Sequence, residues 1–243
     1  KTKFAAFAHA SNALGSINPV KEMVAFAKSY DVPCLIDGAQ AIHHVPVDVK
    51  DLDCDFYVFS GHKAYGPTGI GALFAKKSWI EKLPPYQGGG DMIESVDFDN
   101  ITFAKGPQKF EAGTPNISGA LGLACALNYI DALGFKDIHE HEQALLSYAH
   151  EKLSGISGLR IIGQAQEKVS LIPFVIDGVH PHDISSILDR EGVAIRAGHL
   201  CTEPLMKRFN VSSFCRASFA LYNNFEDIDR LHKAISRVFE VFK

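Results

Sequence analysis

Residues 55–71 read DFYVFSGHKAYGPTGIG, and this stretch organises the chain. Its apolar, β-prone residues 56–59 predict a buried strand, which the turn residues Ser60 and Gly61 bring to an end. Lys63 therefore follows a strand end, among glycines that allow a ligand to approach the backbone closely. A lysine in that place can serve as a nucleophile toward a carbonyl group. The tetrapeptide SGHK taken alone is more typical of a surface lysine in a glycine-rich turn.

A second predicted strand ends in a carboxylate. Residues 33–40 read PCLIDGAQ, a short apolar run that stops at Asp37. In open α/β sheets ligands bind beside the carboxyl ends of the strands, so Asp37 and Lys63 share a crevice if their strands are neighbours. A pyridoxal phosphate site needs this pair, because a lysine bonds to the cofactor and a carboxylate keeps the pyridine nitrogen protonated. Alone, Asp37 is more typical of a turn or a helix cap.

Six motifs in order along the chain resemble one family. They are HASNALGSINPV (9–20), LIDGAQAIHHVPVDV (35–49), DCDFYVFSGHKAYGPTGIGALF (53–74), FEAGTPN (110–116), IRAGHLC (195–201) and CRASFALYN (215–223). Together they resemble cysteine desulfurases of the SufS/CsdA type, within the class V aminotransferase-like, fold type I pyridoxal phosphate enzymes. The resemblance spans nearly the whole chain. It also implies that an upstream part of the large domain, with a phosphate loop and a stacking histidine, precedes residue 1.

The bulk composition excludes several classes of protein. The 243 residues are 47% hydrophobic and 21% charged, which is typical of a globular protein. The net charge of −4 provides no basic field, so nucleic acid is not an expected partner. No apolar run approaches the ~20 residues that span a bilayer, and no signal-peptide pattern opens the chain, so we expect a cytoplasmic protein. The five cysteines lack zinc-like spacing, which argues against a structural metal.

The alternation of elements predicts an α/β fold with two domains. A strand at 4–8, a helix at 19–30 and the strand ending at Asp37 form a βαβ unit, the signature of a parallel sheet. Residues 1–133 are expected to form the C-terminal part of a mostly parallel, fold type I large domain. Gly134 marks the predicted boundary, and 134–243 a small α+β domain. The adjacent His43 and His44 do not share a face, so packing is favoured over metal binding.

The resemblance assigns further cofactor contacts by position. Ser60 and His62 correspond to residues that bind the cofactor phosphate, and Gln40 to one that bonds the ring oxygen. Asn12 corresponds to a residue near that oxygen or near the substrate carboxylate. Thr114 corresponds to one that reaches the phosphate in a partner subunit, which implies a homodimer. From local sequence, Asn12 is a turn residue, Gln40 a polar residue at a helix start and Thr114 a residue at a helix N-terminus.

Cys201 is the cysteine predicted to be reactive. It lies in RAGHLCTEPL, which the glycine and proline predict to be a loop, with His199 and Arg196 near enough to favour the thiolate. The resemblance makes it the nucleophile that carries a persulfide. Leu200 and Thr202 depart from the family pattern, which has a second histidine and an alanine at those positions. By the same resemblance, Arg216 binds the substrate carboxylate as a bidentate fork and Arg196 lies near the cysteine.

The expected activity is conversion of L-cysteine to L-alanine, with the sulfur passed to an acceptor protein for iron–sulfur cluster assembly. This activity follows from the resemblance. Two alternatives remain open from the sequence: a selenocysteine lyase, which shares nearly every motif, and a fragment that folds without holding the cofactor.

Overall fold

The computed structural model describes residues 1–242. It forms two compact units, the first made of Lys1–His9 with Pro19–Leu133 and the second of Ala10–Asn18 with the chain from Gly134 onward. The predicted domains 1–133 and 134–243 stay a prediction, and the segment Ala10–Asn18 lies with the second unit rather than with the rest of 1–133.

The first unit is built on a four-stranded sheet in which the strands follow chain order. The first three strands are parallel and the fourth runs antiparallel to the third. Their bounds are β1 Ala5–Ala8, β2 Cys34–Asp37, β3 Phe56–Ser60 and β4 Gly71–Ala75. Cys34, Ile36 and Tyr57 are buried in the core of this unit. β2 ends at Asp37 and β3 ends at Ser60, and the two strands are parallel. Both polar residues therefore lie at the carboxyl ends of the strands, on the same side of the sheet.

Helices and a hairpin complete the first unit. The helices are α1 Val20–Lys28, α2 Val49–Leu52, α3 Lys77–Lys82 and α4 Ile117–Leu133, and the hairpin is β5 Ile93–Val96 with β6 Ile101–Phe103. Val20, Val24 and Ala27 bury the inner face of α1 against the sheet core. Spaced three and four residues apart, they form one stripe of the helix.

The second unit is an antiparallel sheet with helices. Its strands are β7 Leu159–Ile161, β8 Leu171–Ile176, β9 Arg196–Gly198 and β10 Phe214–Ser218, in the order β7-β8-β10-β9. Its helices are α5 Phe135–Ser154, α6 Pro181–Arg190, α7 Glu203–Phe209 and α8 Phe225–Val241. Phe174 is fully buried in the core that β8 and β10 share with α5, α6 and α8. Asn224 and Asp227 form a capping box that begins α8.

The α/β fold class predicted from the sequence is confirmed, and several local predictions need correction. The apolar residues ahead of Cys201 predict a strand at 193–196, but the strand lies at Arg196–Gly198, because β9 pairs with β10 only over those residues. The segment 196–205, expected to be a loop, begins with strand β9 and enters helix α7 at Glu203. Helix α4 is capped by the side chain of Asn116, whose Oδ1 accepts a bond from the Gly119 amide, and not by Thr114.

Two further findings concern membranes and metals. Within residues 1–242 no single helix is long and apolar enough to cross a membrane, and only α4 and α5 taken together reach that length and composition. The same residues contain no group of three or more His, Cys, Asp and Glu side chains arranged to hold a metal ion.

Candidate functional site

In the first unit, the carboxyl ends of β2 and β3 lie side by side. Asp37 is the last residue of β2 and is paired in register with Val58 of β3. Its Oδ1 accepts a hydrogen bond of 2.9 Å from the Ala39 amide, which fixes the carboxylate against the turn after β2. Two residues beyond Val58, β3 ends at Ser60. Parallel pairing therefore brings the exposed Asp37 carboxylate to the sheet edge from which the turn around Lys63 departs.

Lys63 lies in a single turn of 3₁₀ helix, Gly61–Lys63, directly after β3. The Gly61 carbonyl accepts hydrogen bonds from the amides of Ala64 and Gly66, both of 2.9 Å, and closes the turn. The Gly61 amide donates to the Ile70 carbonyl at 2.8 Å. Lys63 is half-buried, and the ion pairs described for residues 1–242 do not include it. The turn therefore holds an amine that forms no ion pair with a carboxylate of residues 1–242.

Ser60 and His62 form one polar pair beside that lysine. Ser60 Oγ and His62 Nδ1 are 2.8 Å apart, and His62 is exposed. One proton lies between these two atoms, so the pair keeps donor capacity that is not used on that bond and that could bind an anion. The structure thus places three of the predicted residues, Ser60, His62 and Lys63, on one short turn.

Gly38 is required by close packing at the end of β2. A Cβ on Gly38 would lie 2.2 Å from the ring of Tyr57, so no side chain fits there. Tyr57 is buried and its hydroxyl lies 3.0 Å from His9 Nδ1. Burial raises the pKa of Tyr57 and lowers that of His9, so both side chains stay neutral at physiological pH. The turn after Asp37 therefore packs against the buried, uncharged ring of Tyr57.

His43 and His44 form a buried pair of imidazole rings in the first unit. Their ring centroids are 3.9 Å apart, and the His43 ring also meets Tyr65 edge-on. Burial lowers the pKa of His43 to about 3, helped by the nearby His44 and Lys63, and burial lowers the pKa of His44 to about 4. Both imidazoles are therefore neutral at pH 7. The sequence did not reveal that His43 lies close enough to sense the Lys63 charge, because 20 residues separate them.

The other two residues predicted in the first unit lie outside these contacts. Gln40 is half-buried in the turn after β2, and Thr114 is exposed ahead of α4. Neither side chain takes part in a hydrogen bond described for residues 1–242. Their predicted contacts with the cofactor stay predictions.

In the second unit, Arg216 and Asn12 are brought together although 204 residues separate them. Arg216 Nη1 donates to the backbone carbonyl of Asn12. Arg216 Nε is buried and makes no hydrogen bond within residues 1–242. Arg196 is directly opposite Arg216 in the β9–β10 pairing, and burial together with this like charge lowers the pKa of Arg216. Arg216 therefore has an unsatisfied donor in a region of positive charge.

Cys201 lies in a strained backbone. Leu200 has a φ of 52° and Cys201 a φ of 61°, so two consecutive residues that are not glycine adopt the left-handed conformation. Each such residue costs about 1 to 3 kcal/mol and persists only where its surroundings hold it. Cys201 is exposed, and so is Cys125, while the other three cysteines of the chain are buried. The prediction that Cys201 is an accessible thiol agrees with its position here.

The comparisons with known proteins agree with this architecture. Residues 1–231 match the family described as aminotransferase class-V. A curated cysteine desulfurase of Shigella flexneri is 47% identical over 239 residues, which are 98% of this chain and 59% of that protein. A structure of the cysteine desulfurase CsdA from Escherichia coli, in its S-sulfonic acid form, is 38% identical and has a TM-score of 0.94. The match covers 98% of this chain and 59% of the CsdA chain.

A structure of the apo cysteine desulfurase from Thermococcus onnurineus is 36% identical and has a TM-score of 0.93. The match covers 97% of this chain and 60% of that chain. The chain therefore spans about three fifths of the length of these relatives. A mostly parallel sheet with a lysine and a carboxylate at its carboxyl edge is the arrangement of fold type I transferases. Within that class, the chain belongs to the aminotransferase class-V family. The family resemblance predicted from the six motifs is confirmed.

Proposed function

We propose that this chain carries the cofactor-binding and substrate-binding residues of a pyridoxal phosphate-dependent cysteine desulfurase that converts L-cysteine to L-alanine. The observation that carries the proposal is the placement of Asp37 and the Lys63 turn at the carboxyl ends of adjacent parallel strands. The 47% identity to a protein named cysteine desulfurase, over 98% of this chain, supports the same reaction.

The residues of the first unit fit pyridoxal phosphate. The Lys63 amine has no ion-pair partner within residues 1–242 and is available to bond to the cofactor aldehyde carbon. Asp37 uses Oδ1 for the Ala39 amide, and its Oδ2 takes part in no hydrogen bond described for the same residues. That oxygen is available to accept from a protonated pyridine nitrogen. Ser60, His62 and Thr114 would bind the phosphate, and Gln40 and Asn12 the polar groups of the ring or of the substrate.

Pyridoxal phosphate, when bound, supplies an electron sink that weakens the bonds at the α-carbon of an amino acid. Asp37 would hold the proton on the pyridine nitrogen. Lys63 Nζ would hold the cofactor and, once freed from it, would be the base that takes the α-proton of the substrate. Arg216 binds the substrate carboxylate, and its buried Nε is a donor that this carboxylate would satisfy. Arg196 adds positive charge on the neighbouring strand.

Cys201 receives the sulfur. Its thiolate attacks the sulfur of L-cysteine, and a sulfur–sulfur bond forms while the carbon–sulfur bond breaks, with the electron pair left on carbon. A proton added to that carbon, together with the return of a proton from Lys63 Nζ to the α-carbon, would complete L-alanine. The transferred sulfur stays on Cys201 as a persulfide until an acceptor protein takes it for iron–sulfur cluster assembly. We further propose that the enzyme works as a homodimer in the cytoplasm, with Thr114 directed to the partner's cofactor.

The test of the cofactor site is covalent labelling. The chain is incubated with pyridoxal phosphate, reduced with borohydride, digested and mapped by mass spectrometry. We expect one modified residue, Lys63, and loss of that label in Lys63→Ala but not in Lys50→Ala, an exposed lysine of the same unit. Label scattered over surface lysines in the parent chain would contradict the proposal.

The test of the sulfur acceptor uses the loaded protein. After incubation with L-cysteine, we expect a persulfide on Cys201, detected by alkylation and mass spectrometry, together with alanine in solution. Cys201→Ser should lose the persulfide, whereas Cys125→Ser, which changes the other exposed thiol, should keep it. Alanine and sulfide produced by Cys201→Ser at the parent rate would refute the role of Cys201.

A further inference from the structure

We infer that Asn12 is a positioning residue for the Cys201 thiol, acting through the backbone of Leu200. This inference rests on the proposed function, since it assumes that Cys201 is the sulfur acceptor. Asn12 Nδ2 donates a hydrogen bond of 2.7 Å to the Leu200 carbonyl, across 188 residues of sequence. The bond therefore ends on the peptide group that links Leu200 to Cys201.

The peptide group that Asn12 holds is the one under strain. Leu200 and Cys201 both adopt positive φ, a conformation that residues with a Cβ leave unless other contacts fix it. The Thr202 amide and the Thr202 hydroxyl both donate to the His199 carbonyl, at 2.9 and 2.8 Å, and these two local bonds close the turn. The side-chain amide of Asn12 adds a bond from a distant part of the sequence.

A second contact fixes the same residue from its side chain. Leu200 is buried, with 8% of its surface exposed, in a small apolar cluster with Ala13, Met206 and Phe214. Ala13 follows Asn12 in the chain, so the segment that donates the hydrogen bond also supplies part of the apolar pocket. The backbone and the side chain of Leu200 are therefore held by neighbouring residues, and the exposed Cys201 is the next residue along.

Asn12 also meets Arg216, but through a different group. Arg216 Nη1 donates to the backbone carbonyl of Asn12, not to its side chain. A substitution at position 12 therefore removes the bond to Leu200 while the carbonyl that orients Arg216 stays in place. This separation predicts that loss of the Asn12 side chain frees the turn before Cys201 while the backbone carbonyl of residue 12 still orients Arg216.

The first experiment is hydrogen–deuterium exchange of the whole chain, read by mass spectrometry. We expect amides in residues 199–203 to exchange about fivefold faster in Asn12→Ala and in Asn12→Asp, which has the same shape but no donor. Peptides from β8 in the same digest report the stability of the unit and should not change. Asn128→Ala, an exposed asparagine of α4, is the matched control and should behave as the parent chain. Unchanged exchange at 199–203 in both Asn12 variants overturns the inference.

The second experiment separates positioning from substrate binding. In the cofactor-loaded protein at saturating L-cysteine we expect the persulfide on Cys201 to form about fivefold more slowly in Asn12→Ala than in the parent chain. A raised KM with an unchanged rate at saturation would mean that Asn12 acts only by binding the ring or the substrate, and the inference would be wrong. If the parent chain acquires no label at Lys63, the proposed function fails, while the exchange experiment still decides whether Asn12 holds the Leu200 turn.

Discussion

Replacing Glu142 with glutamine is expected to make the chain more stable above pH 6. Glu142 lies on α5 with only 2% of its surface exposed, and its backbone carbonyl accepts a bond from the Ser170 hydroxyl. Burial raises the pKa of its carboxyl from 4.5 to about 8, although the nearby His141 and His139 act in the opposite direction. The folded protein therefore keeps a proton at pH 7 that the unfolded chain has released.

The sign and size follow from proton linkage. Between pH 4.5 and about 8 folding takes up a proton, so the free energy of unfolding falls as pH rises. The slope is about 1.4 kcal/mol per pH unit. Over the whole interval the loss is about 5 kcal/mol, complete near pH 8 and absent below pH 4.5. Glutamine does not ionise, so the variant lacks this slope.

The assay is urea denaturation at a series of pH values from 5 to 8.5, followed by circular dichroism. The quantity compared is the free energy of unfolding of Glu142→Gln minus that of the parent chain, which should rise with pH. Glu151→Gln, an exposed glutamate on the same helix, is the control, and its difference should stay flat. A flat difference for Glu142→Gln across the range would show that Glu142 ionises alike in the folded and unfolded chains and would refute the reasoning.

Three further substitutions test packing and capping, each by the urea midpoint. Gly38→Ala should destabilise the first unit by about 3 kcal/mol, since the new Cβ meets the Tyr57 ring, and an unchanged midpoint would contradict that contact. Asn224→Ala should cost about 1 kcal/mol by removing the cap of α8, whereas Asn224→Ser should cost little. Phe174→Ala should cost about 4 kcal/mol, because this ring is fully buried, and a loss below that of the cap variant would place it outside the core.

The parts of the fold predicted best from the sequence are those with strong local signals. The sequence predicts a helix from about 117 to 133 and a strand at 171–176, and helix α4 (Ile117–Leu133) and strand β8 (Leu171–Ile176) have these bounds. Both are long apolar runs bounded by turn residues, so neighbouring residues alone decide their conformation. Asp37 and the Lys63 turn lie at strand ends for the same reason, since each follows an apolar run that stops at a polar residue, whereas the pairing of their two strands is seen only in the structure.

Other parts of the fold could not be predicted, because no local pattern in the sequence marks them. The hairpin of β5 and β6 is almost entirely exposed, so no burial pattern marks it in the sequence. The left-handed pair at Leu200 and Cys201 contains no glycine, the usual signal of positive φ. It depends on Asn12, which lies 188 residues away from Leu200. No local pattern contains such information.

The structure also explains what the leucine at position 200 does, where the family pattern has a histidine. From the sequence it is only a departure from the family pattern beside Cys201. In the structure Leu200 is an apolar anchor, packed with Met206 and Phe214, that fixes the turn in front of the cysteine. A residue that the sequence marks only as a difference is therefore part of the support for the candidate nucleophile.

The facing arginines on β9 and β10 give this strand pair an unusual response to salt. Arg196 and Arg216 are opposite each other in register, and like charges in that position weaken a strand pairing. Dissolved ions reduce such repulsion, because the screening length shrinks to roughly 8 Å at physiological ionic strength. We therefore expect β9 to pair more firmly with β10 as ionic strength rises, the reverse of what is usual for surfaces held by ion pairs.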